Sequence, residues 1–523
     1  MKRTMVVVVA AVMLLAAVPG AQMLPPYGSA AEFRTDLGAR RAAAMQALGP
    51  ESVLILWSAP ARVYSTDVDY EYRQESNALY LTGLAQEDSI LVLIPGAKTK
   101  KEMLFTREGD PRGELWDGHT LTAAEVSAWT GITNVMPLPA FNAFMDSLLS
   151  GNGSPHLPAD ELQNEFGTFV GAVKQGTAKL AVMGGGPALG GRGGAAPAPP
   201  AAGSPRAFAE EMHAKYAGVA SANATSILNT LRQVKTPYEQ KVLRRSVEIS
   251  AEAHVEGMKA ARPGRWEYEV EAAIEYWYLK NGAMSWGYPS IVGSGPNATT
   301  LHYGASTRQM QDGDLLLVDA AANFQGLTGD ITRTYPINGK FTKAQREIYE
   351  IVLAAQEAGL AAAKPGARQQ DVTAAVRASC AAGLLKLGLI TDVSQIGTWL
   401  PHGPIHGIGI DVHDPLGTLV PGSAFVLEPG LYFREDSLAN IGRQGGAGRA
   451  GGQGAAANPA AAQTPPPDPA AVLAAVRPVF QKYKNIGIRI EDSFLMTETG
   501  PVFLSAKAPR QIADIEKIVG TGK

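Results

Sequence analysis

The chain has 523 residues, an apolar content of 46%, a net charge of −3 and a pI near 6.3. This length favours two domains over one, and the apolar content is typical of proteins with packed cores. The charge lacks the basic excess of nucleic-acid-binding proteins, which excludes nucleic acid as an expected partner, and the single cysteine, Cys380, excludes an intramolecular disulfide.

The first residues have the pattern of a secretory signal peptide. Lys2 and Arg3 precede an apolar run over 5–18, and the small residues Gly20 and Ala21 follow it. The run is shorter than the roughly 20 residues that a membrane-spanning helix requires. We therefore expect residues 1–21 to be a cleaved signal peptide and the mature protein to be exported, periplasmic or secreted, without stable membrane insertion. An uncleaved membrane anchor is the alternative.

Helix and strand patterns alternate in the following part of the chain. Periodic apolar residues predict helices and strands, with helices over 33–48, 122–129 and 141–149, and strands over 53–57, 90–94 and 103–105. This alternation predicts an amino-terminal α/β domain with a mixed sheet, to which we assign residues 22–228. No G-x-G-x-x-G motif follows a strand, so a dinucleotide site is not indicated.

Two segments of low complexity interrupt the globular pattern. Residues 184–205 are rich in Gly, Ala and Pro, and residues 442–469 are Gly/Ala-rich and then Pro-rich. Such compositions bury too little apolar surface to offset the entropy lost on ordering. We predict that both segments are disordered surface insertions.

A second domain is predicted over residues 229–523. Thr236, Pro237 and Glu239 form a capping-box pattern at the start of a long amphipathic helix. Further helical patterns cover 266–280, 343–363 and 370–387 and alternate with paired strand patterns. The prediction is a set of helices packed against antiparallel sheets.

The stretch 315–336 contains two aspartates, Asp319 and Asp330, in apolar or β-prone runs. Turn residues at 323–326 separate these runs, so the pattern predicts a β-hairpin with one carboxylate on each arm. With an even loop the two side chains share a face, either directly opposite or one diagonal step apart. Buried like charges repel unless a cation lies between them, which indicates a metal site. The alternative is that both aspartates cap turns at an exposed edge.

Three of the eight histidines, His402, His406 and His413, lie within the segment 401–414. Neutral imidazole is a common metal ligand, and it exchanges protons near neutral pH. The glycines and prolines of the segment argue against a helix, so the spacing does not indicate one helical face. For any one of these residues, a hydrogen-bonded core histidine is the alternative.

Two further carboxylates follow apolar strand patterns. Glu428 ends a strand pattern before a Pro-Gly turn, and Arg489 and Glu491 alternate with isoleucines, which places both on one strand face. A solvated strand face is the alternative for that pair. Together, four carboxylates and one imidazole suffice for two divalent ions. Oxygen-rich ligation favours Mn²⁺, Mg²⁺ or Ca²⁺, and the imidazole shifts the choice toward Mn²⁺, Co²⁺ or Zn²⁺, of which we expect Mn²⁺.

These segments, in this order, resemble the motifs of the pita-bread metallopeptidases, in particular the Xaa-Pro aminopeptidase (aminopeptidase P) and prolidase branch. The resemblance rests on VDAAANFQGLTGDITRTYP, HGPIHGIGIDVHD, LEPGLY and IRIED. YEYRQESNALYLTGL and ELWDG resemble the amino-terminal domain of that branch. The resemblance implies an α+β fold in which a pita-bread (creatinase/aminopeptidase-like) catalytic domain follows a smaller α/β domain.

The resemblance also implies metal ligands. Asp319 would bind one ion, and His406 and Glu428 would bind the other. Asp330 and Glu491 would bridge the two ions.

Other residues acquire implied catalytic roles. Glu428 would shuttle a proton, and His413 would hydrogen-bond the developing oxyanion. His302 and His402 would contact substrate or the tetrahedral intermediate. Arg489 would support the bridging Glu491. The substrate proline would occupy a pocket that is lined by Tyr432 and Val412.

The implied reaction is hydrolysis of the bond between an N-terminal residue and a following proline, with a metal-bridging hydroxide as nucleophile. Expected partners are peptides with proline at the second position and further copies of the chain, in a homodimer or homotetramer. A prolidase-type Xaa-Pro dipeptidase and a metal-free pita-bread peptide-binding module are the alternatives. The short connection after His413 lacks an arginine that longer loops in this branch supply, which leaves the preferred peptide length open.

Overall fold

The computed structural model describes residues 26–155, 157–184, 203–439, 441 and 468–522. These residues form two compact units, one from Leu48–Asn223 and one that combines Tyr27–Ala47 with Ala224–Lys523. The predicted signal peptide and nearly all of both predicted insertions lie outside the described residues. Among the described helices, none is both long enough and apolar enough to cross a membrane.

Helix α1 covers Ala30–Leu48, and the first unit follows it. The helices of this unit are α2 (Ser76–Thr82), α3 (Pro111–Asp117), α4 (Ala123–Thr130), α5 (Phe141–Ser150), α6 (Ala159–Gln175) and α7 (Pro205–Lys215). Its strands are β1 (Ser52–Trp57), β2 (Val63–Ser65), β3 (Val68–Asp69), β4 (Ser89–Leu93), β5 (Glu102–Thr106), β6 (Asn134–Pro137), β7 (Ala178–Val182) and β8 (Val219–Asn223).

The first unit is built on a six-stranded mixed sheet with strand order β6-β5-β4-β1-β7-β8. Strand β1 pairs antiparallel with β4 and parallel with β7, at the centre of the sheet. Its sequence SVLILW and the β4 sequence SILVL are apolar at most positions because these strands are buried on both faces. Aromatic and aliphatic side chains of α5 and α6 complete the core. The predicted α/β domain with a mixed sheet is confirmed.

The second unit contains the remaining helices and strands. Its helices are α8 (Thr225–Gln233), α9 (Pro237–Ala260), α10 (Glu267–Lys280), α11 (Lys343–Ala362), α12 (Gln369–Leu387), α13 (Glu435–Leu438), α14 (Pro469–Tyr483) and α15 (Ile512–Ile518). Its strands are β9 (Ser285–Trp286), β10 (Ile291–Ser294), β11 (Leu315–Asp319), β12 (Ala322–Phe324), β13 (Leu327–Thr328), β14 (Thr332–Pro336), β15 (Ile405–Gly407), β16 (Ala424–Leu427), β17 (Gly430–Tyr432), β18 (Gly487–Arg489), β19 (Asp492–Thr497) and β20 (Gly500–Phe503).

Small antiparallel sheets form the centre of the second unit. Their strand orders are β10-β11-β14, β13-β12-β9, β15-β16-β19-β20 and β17-β18. Helices α9 and α10 pack together, as do α11 and α12, and α9 and α11 lie against the strands. The predicted capping box is present, since Glu239 N–H donates to Thr236 Oγ1 and Thr236 N–H donates to Glu239 Oε2. The prediction of helices packed on antiparallel sheets is confirmed.

Helix α1 belongs to the second unit, which differs from the predicted amino-terminal domain of residues 22–228. The ring of Phe33 packs on that of Tyr238, with centroids 5.6 Å apart. Glu32 pairs with Lys241 at 3.0 Å on the same helix, α9. The sequence pattern identified α1 as a helix, but its partner helix lies about 200 residues away in sequence and could not be inferred from periodicity.

The ends of both predicted insertions are helical, which corrects the prediction of disorder at those positions. Helix α7 begins at Pro205, and Ser204 accepts a hydrogen bond from the Ala207 N–H. Helix α14 begins at Pro469, and Asp468 caps it in the same way. Proline is favoured at the first helical position when Ser or Asp precedes it as the N-cap.

Strands β11 and β14 bring Asp319 opposite Thr332. Asp330 lies two positions before Thr332, so the two carboxylates share a face one diagonal step apart, as the even loop predicted. Gln325 and Gly326 have positive φ angles of 51° and 83°, which suit a two-residue type I′ turn. The predicted hairpin with one carboxylate on each arm was wrong in one respect. The chain changes sheet after Asp319, so Asp330 lies between β13 and β14 rather than on a strand arm.

Candidate metal centre

The strands of the second unit bring five potential metal-binding side chains to one region. Asp319 is the last residue of β11, and Asp330 lies between β13 and β14. His406 is the central residue of β15, Glu428 follows β16, and Glu491 lies between β18 and β19. These strands are buried, so the side chains that they direct toward this region lie in the interior of the unit.

His406 is the centre of the cluster. Its Nε2 atom lies 3.6 Å from Asp330 Oδ2, 3.3 Å from Glu428 Oε1 and 3.7 Å from Glu491 Oε1. One ligand atom from each of Asp330, His406 and Glu491 lies within 4.8 Å of the others. Asp330 and Glu491 are buried, at 4% and 1% exposure. This separation suits atoms that share one cation better than atoms that hydrogen-bond each other.

The hydrogen bonds around the cluster leave acceptors facing one another. Thr332 Oγ1 donates to Glu491 Oε2 at 2.7 Å, whereas Glu491 Oε1 has no donor among the described residues. The Nδ1 atom of His406 lies 3.0 Å from the Gly407 carbonyl, so an Nδ1–H tautomer directs the Nε2 lone pair toward the carboxylates. A buried lone pair beside an unpartnered carboxylate oxygen requires a cation. The donor set therefore fits a divalent metal ion.

The crowding of buried carboxylates shifts their pKa values in the absence of a cation. Burial, followed by the nearby Glu491 and Asp319, raises the pKa of Asp330 well above its usual range. Burial also raises the pKa of Glu491 to about 7, although its contact with His406 opposes the shift. Burial alone would raise the pKa of Glu428, but His402 and His406 outweigh it and lower that pKa to about 2. Glu428 is thus ionised at neutral pH.

Asp319 is held apart from His406 by two other partners. Tyr288 donates from its hydroxyl group to Asp319 Oδ1 at 2.6 Å and also contacts Asp330 Oδ1. The guanidinium of Arg489 pairs with Asp319 Oδ2. Both oxygens of Asp319 are therefore engaged, and His406 with its three carboxylate neighbours, Asp330, Glu428 and Glu491, forms the better-defined ligand set.

Arg489 contacts the predicted bridging glutamate only through a third residue. Its Nε–H donates to Thr332 Oγ1 at 3.0 Å, and Thr332 in turn donates to Glu491. Its Nη1–H donates to the Tyr432 hydroxyl at 2.9 Å. The direct charged partner of Arg489 is Asp319, because the buried guanidinium spans the gap between β18 and β11. The implied support of Glu491 is thus indirect.

The remaining predicted site residues surround this network. His402 Nε2 lies 3.0 Å from the Tyr432 hydroxyl, and His402 Nδ1 lies 3.6 Å from Glu428 Oε2. The ring of His413 meets that of His406 edge-on at 4.3 Å between centroids. Tyr432 packs its ring in an apolar cluster and uses its hydroxyl in the polar network, so it does more than line a pocket.

His302 and Val412 take less defined positions. His302 is exposed, and among the described residues its side chain makes no hydrogen bond. Val412 is half-buried next to His413. The structure thus brings the other predicted residues into one network and leaves these two at its margin.

Sequence patterns did not identify Tyr288 or Thr332 as site residues. Tyr288 lies in an irregular segment before β10, with no periodicity to set its direction. Thr332 resembles any β-branched strand residue in sequence. Their roles depend on which strands are neighbours in space, and only the proximity of Thr332 to Asp330 gave a hint.

Two family sequence profiles match the chain. The profile of metallopeptidase family M24 matches residues 241–498, and that of the aminopeptidase P N-terminal domain matches residues 38–157. Xaa-Pro aminopeptidase of Escherichia coli (strain K12) is 32% identical over 502 residues, which cover 93% of this chain and 98% of the relative. Xaa-Pro aminopeptidase 3 of Homo sapiens is 26% identical over 495 residues, with coverage of 90% and 81%.

Solved structures of aminopeptidases share the fold. Aminopeptidase PepP of Pseudomonas aeruginosa superposes with a TM-score of 0.71 at 28% identity, covering 93% of this chain and 97% of that chain. Aminopeptidase P of Escherichia coli with the inhibitor Pro-Leu gives a TM-score of 0.70 at 29% identity, with coverage of 93% and 98%. These similarities confirm the predicted pita-bread domain preceded by a smaller α/β domain.

Proposed function

Because the chain belongs to metallopeptidase family M24, in its aminopeptidase P branch, and is a metallo-aminopeptidase of the Xaa-Pro type, we propose that it acts through a dinuclear metal centre. Its substrates are peptides whose N-terminal residue precedes a proline. We propose Mn²⁺ as the metal, with Co²⁺ or Zn²⁺ as the alternatives, because four carboxylates and one imidazole suit these ions.

One observation carries this proposal. Glu491 Oε1 is buried, has no donor among the described residues, and lies 3.7 Å from His406 Nε2. A carboxylate oxygen in that position costs free energy unless a cation binds to it. Asp330 and Glu428 face the same atom, which makes the set suitable for a divalent ion.

Under this proposal, Asp319, Asp330, His406, Glu428 and Glu491 are the residues that would hold the ions. When bound, such ions would lower the pKa of a water molecule and polarise the scissile carbonyl.

We propose that other polar side chains of the site transfer protons and stabilise the charge that develops during the reaction. We propose that Glu428, whose carboxylate lies 3.3 Å from His406 Nε2, accepts a proton from the attacking water and passes it to the leaving proline nitrogen. We propose that His413, whose ring contacts that of His406, donates a hydrogen bond to the developing oxyanion. Arg489 holds Tyr432 and Asp319 in position. We propose that Val412 and the Tyr432 ring contact the substrate proline, and that His302 and His402 contact the peptide.

A peptide panel tests the substrate class. The purified protein, loaded separately with Mn²⁺, Co²⁺ or Zn²⁺, is given Xaa-Pro-Yaa tripeptides, Xaa-Pro dipeptides and Xaa-Ala-Yaa controls. The proposal expects turnover of Xaa-Pro-Yaa that is well above that of Xaa-Pro, with no cleavage of the alanine controls. Exclusive cleavage of Xaa-Pro would instead identify the dipeptidase alternative.

Elemental analysis tests the metal-free alternative. After reconstitution with Mn²⁺ and gel filtration, the proposal expects close to two equivalents of metal per chain. Less than one equivalent, together with peptide binding without turnover, would favour a metal-free peptide-binding module.

We also propose that the protein is exported and forms a homodimer or homotetramer. Export is supported by the basic and apolar residues at 2–18 with small residues after them. Fractionation of the source cells, followed by N-terminal sequencing, tests both the compartment and the cleavage near residue 21. Light scattering of the mature protein tests the oligomeric state.

A further inference from the structure

We propose that Glu267 is a positioning residue for the reaction, because its buried carboxylate orders the loop that carries His302. The loop, defined as residues 294–308, connects β10 to the segment before β11. This inference rests on the proposed function, since it assigns His302 to the substrate side of the same site.

Glu267 has an unusual environment for a carboxylate. It is the first residue of α10 and has no exposed surface. Its Oε1 atom accepts hydrogen bonds from Ser294 N–H at 2.6 Å, from Ser294 Oγ–H at 2.7 Å and from Asn297 Nδ2–H at 3.1 Å. Its Oε2 atom accepts from the Tyr303 hydroxyl and the Arg308 N–H, both at 3.0 Å. These five donors come from both ends and the middle of the loop.

The backbone beside Glu267 binds the same loop. Glu267 N–H donates to the Arg308 carbonyl, and Tyr268 N–H donates to the Ser306 carbonyl, each at 3.0 Å. Arg308 closes the arrangement, since its guanidinium donates to Ser294 Oγ and pairs with Asp314. Apart from a short 3₁₀ turn over Gly295–Thr299, the loop has no regular structure. The Glu267 carboxylate thus accepts five of the hydrogen bonds that hold the loop in this conformation.

The middle of the loop connects this carboxylate to the site. Leu301 and Tyr303 pack against the apolar cluster that contains Tyr432 and Leu317. His302, between these two residues, is exposed. The Tyr303 hydroxyl is tied to Glu267, so the carboxylate fixes one neighbour of His302 directly. Loss of the Tyr303–Glu267 hydrogen bond is therefore expected to make the loop around His302 more mobile.

A glutamine at position 267 probes the carboxylate with almost no change of shape. Each oxygen of Glu267 accepts hydrogen bonds from at least two donors. In glutamine, one of these oxygens is replaced by an NH₂ group, which is itself a donor and cannot accept those hydrogen bonds. Among the described residues Glu267 makes no ion pair, so the change does not strip an opposite charge of its partner. Glu271→Gln removes a carboxylate from the same helix, one turn further on, and serves as the matched control.

The experiment compares Glu267→Gln, Glu271→Gln, His302→Ala and the double variant Glu267→Gln/His302→Ala. On Xaa-Pro-Yaa substrates, Glu267→Gln is expected to lower kcat/KM by about 10- to 100-fold, as small misplacements of positioning groups do. Glu271→Gln is expected to match the parent. Bound metal should be unchanged in all four proteins, and hydrogen exchange should rise over 295–307 in Glu267→Gln alone among the single glutamine variants.

The double variant separates positioning from a general loss of structure. If Glu267 acts through His302, the glutamine change costs little further activity once His302 is alanine. Fully multiplicative losses, or unchanged exchange over 295–307, would overturn the proposal. Loss of bound metal in Glu267→Gln would overturn it as well. If the parent protein fails to cleave any Xaa-Pro peptide, the proposed function fails, whereas the exchange measurement still decides whether Glu267 orders the loop.

Discussion

His406 Nε2 and Glu491 Oε1 lie 3.7 Å apart, and within the described residues the Glu491 oxygen has no hydrogen-bond donor. The Thr332 hydroxyl fixes the other oxygen, so the carboxylate cannot rotate to find a partner without losing a bond. A positive charge bound between these atoms would stabilise the arrangement. This pair therefore makes the metal centre testable by substitutions that change one atom.

Glu491→Gln is expected to abolish activity without unfolding the protein. The amide cannot serve as a bridging anion, so kcat/KM on Xaa-Pro-Yaa should fall by more than about 100-fold, together with bound metal. Asp330→Asn should behave alike, because Asp330 faces the same His406 atom at 3.6 Å. Circular dichroism of both variants should match the parent. Glu498→Gln, at an exposed position just after β19, is the control. Near-normal turnover by Glu491→Gln or Asp330→Asn would contradict the proposed metal centre.

Removal of metal is expected to destabilise the second unit. Without a cation, Asp330, Glu428 and Glu491 are held together in a buried site, and a ligand that binds only the folded state stabilises it. At a metal concentration 100 times the Kd, the gain is about 2.7 kcal/mol. Thermal unfolding should therefore shift down by several degrees after chelation and recover with Mn²⁺. The Glu491→Gln variant should show a much smaller response, and an equal response in both would place the stabilising ion elsewhere.

The sequence was sufficient for the elements and for the order of the ligands. Asp319 and Asp330 could be placed on one face because strand side chains alternate and the loop is even. Helix α9 could be located from the capping box at Thr236. These features depend on residues that are close in the chain, which is why local patterns reveal them.

The sequence was insufficient where partners are distant. The pairing of Arg489 with Asp319 joins residues 170 apart, and the Tyr288 hydroxyl reaches Asp319 and Asp330 from an irregular segment. The packing of α1 on α9 is likewise a contact between segments that are distant in the sequence. Such contacts follow from the packing of sheets and helices, and no periodic pattern encodes them.

Tyr288→Phe is expected to weaken metal binding. The phenol hydroxyl contacts Asp319 and Asp330 and orients both carboxylates, and loss of such orienting groups typically costs about 10- to 100-fold in affinity or activity. Isothermal titration calorimetry of the metal-free protein with Mn²⁺ measures the change in metal affinity. Tyr278→Phe is the matched control, because its buried hydroxyl has no partner among the described residues. Equal affinities in the two variants would show that the Tyr288 contact is dispensable.

His254 gives the second unit a defined pH dependence. It is fully buried on α9, and its Nε2–H donates to the Ala320 carbonyl at 3.0 Å, where the chain leaves β11. Burial and the charge of Arg333 lower the pKa of His254 to about 4, although the Ala320 bond and Asp319 oppose the shift. The folded state therefore favours the neutral imidazole.

Because the folded pKa is below that of the unfolded chain, the stabilisation from neutral His254 is complete above about pH 6.5 and is lost as the pH falls toward 4. A shift of this size corresponds to about 3 kcal/mol in the free energy of unfolding. His254→Gln keeps a donor for Ala320 but cannot titrate, so its urea unfolding should depend less on pH between 7 and 4.5. Both proteins are measured with chelator, since metal binding also varies with pH. Parallel pH profiles for the parent and His254→Gln would show that another group governs acid unfolding.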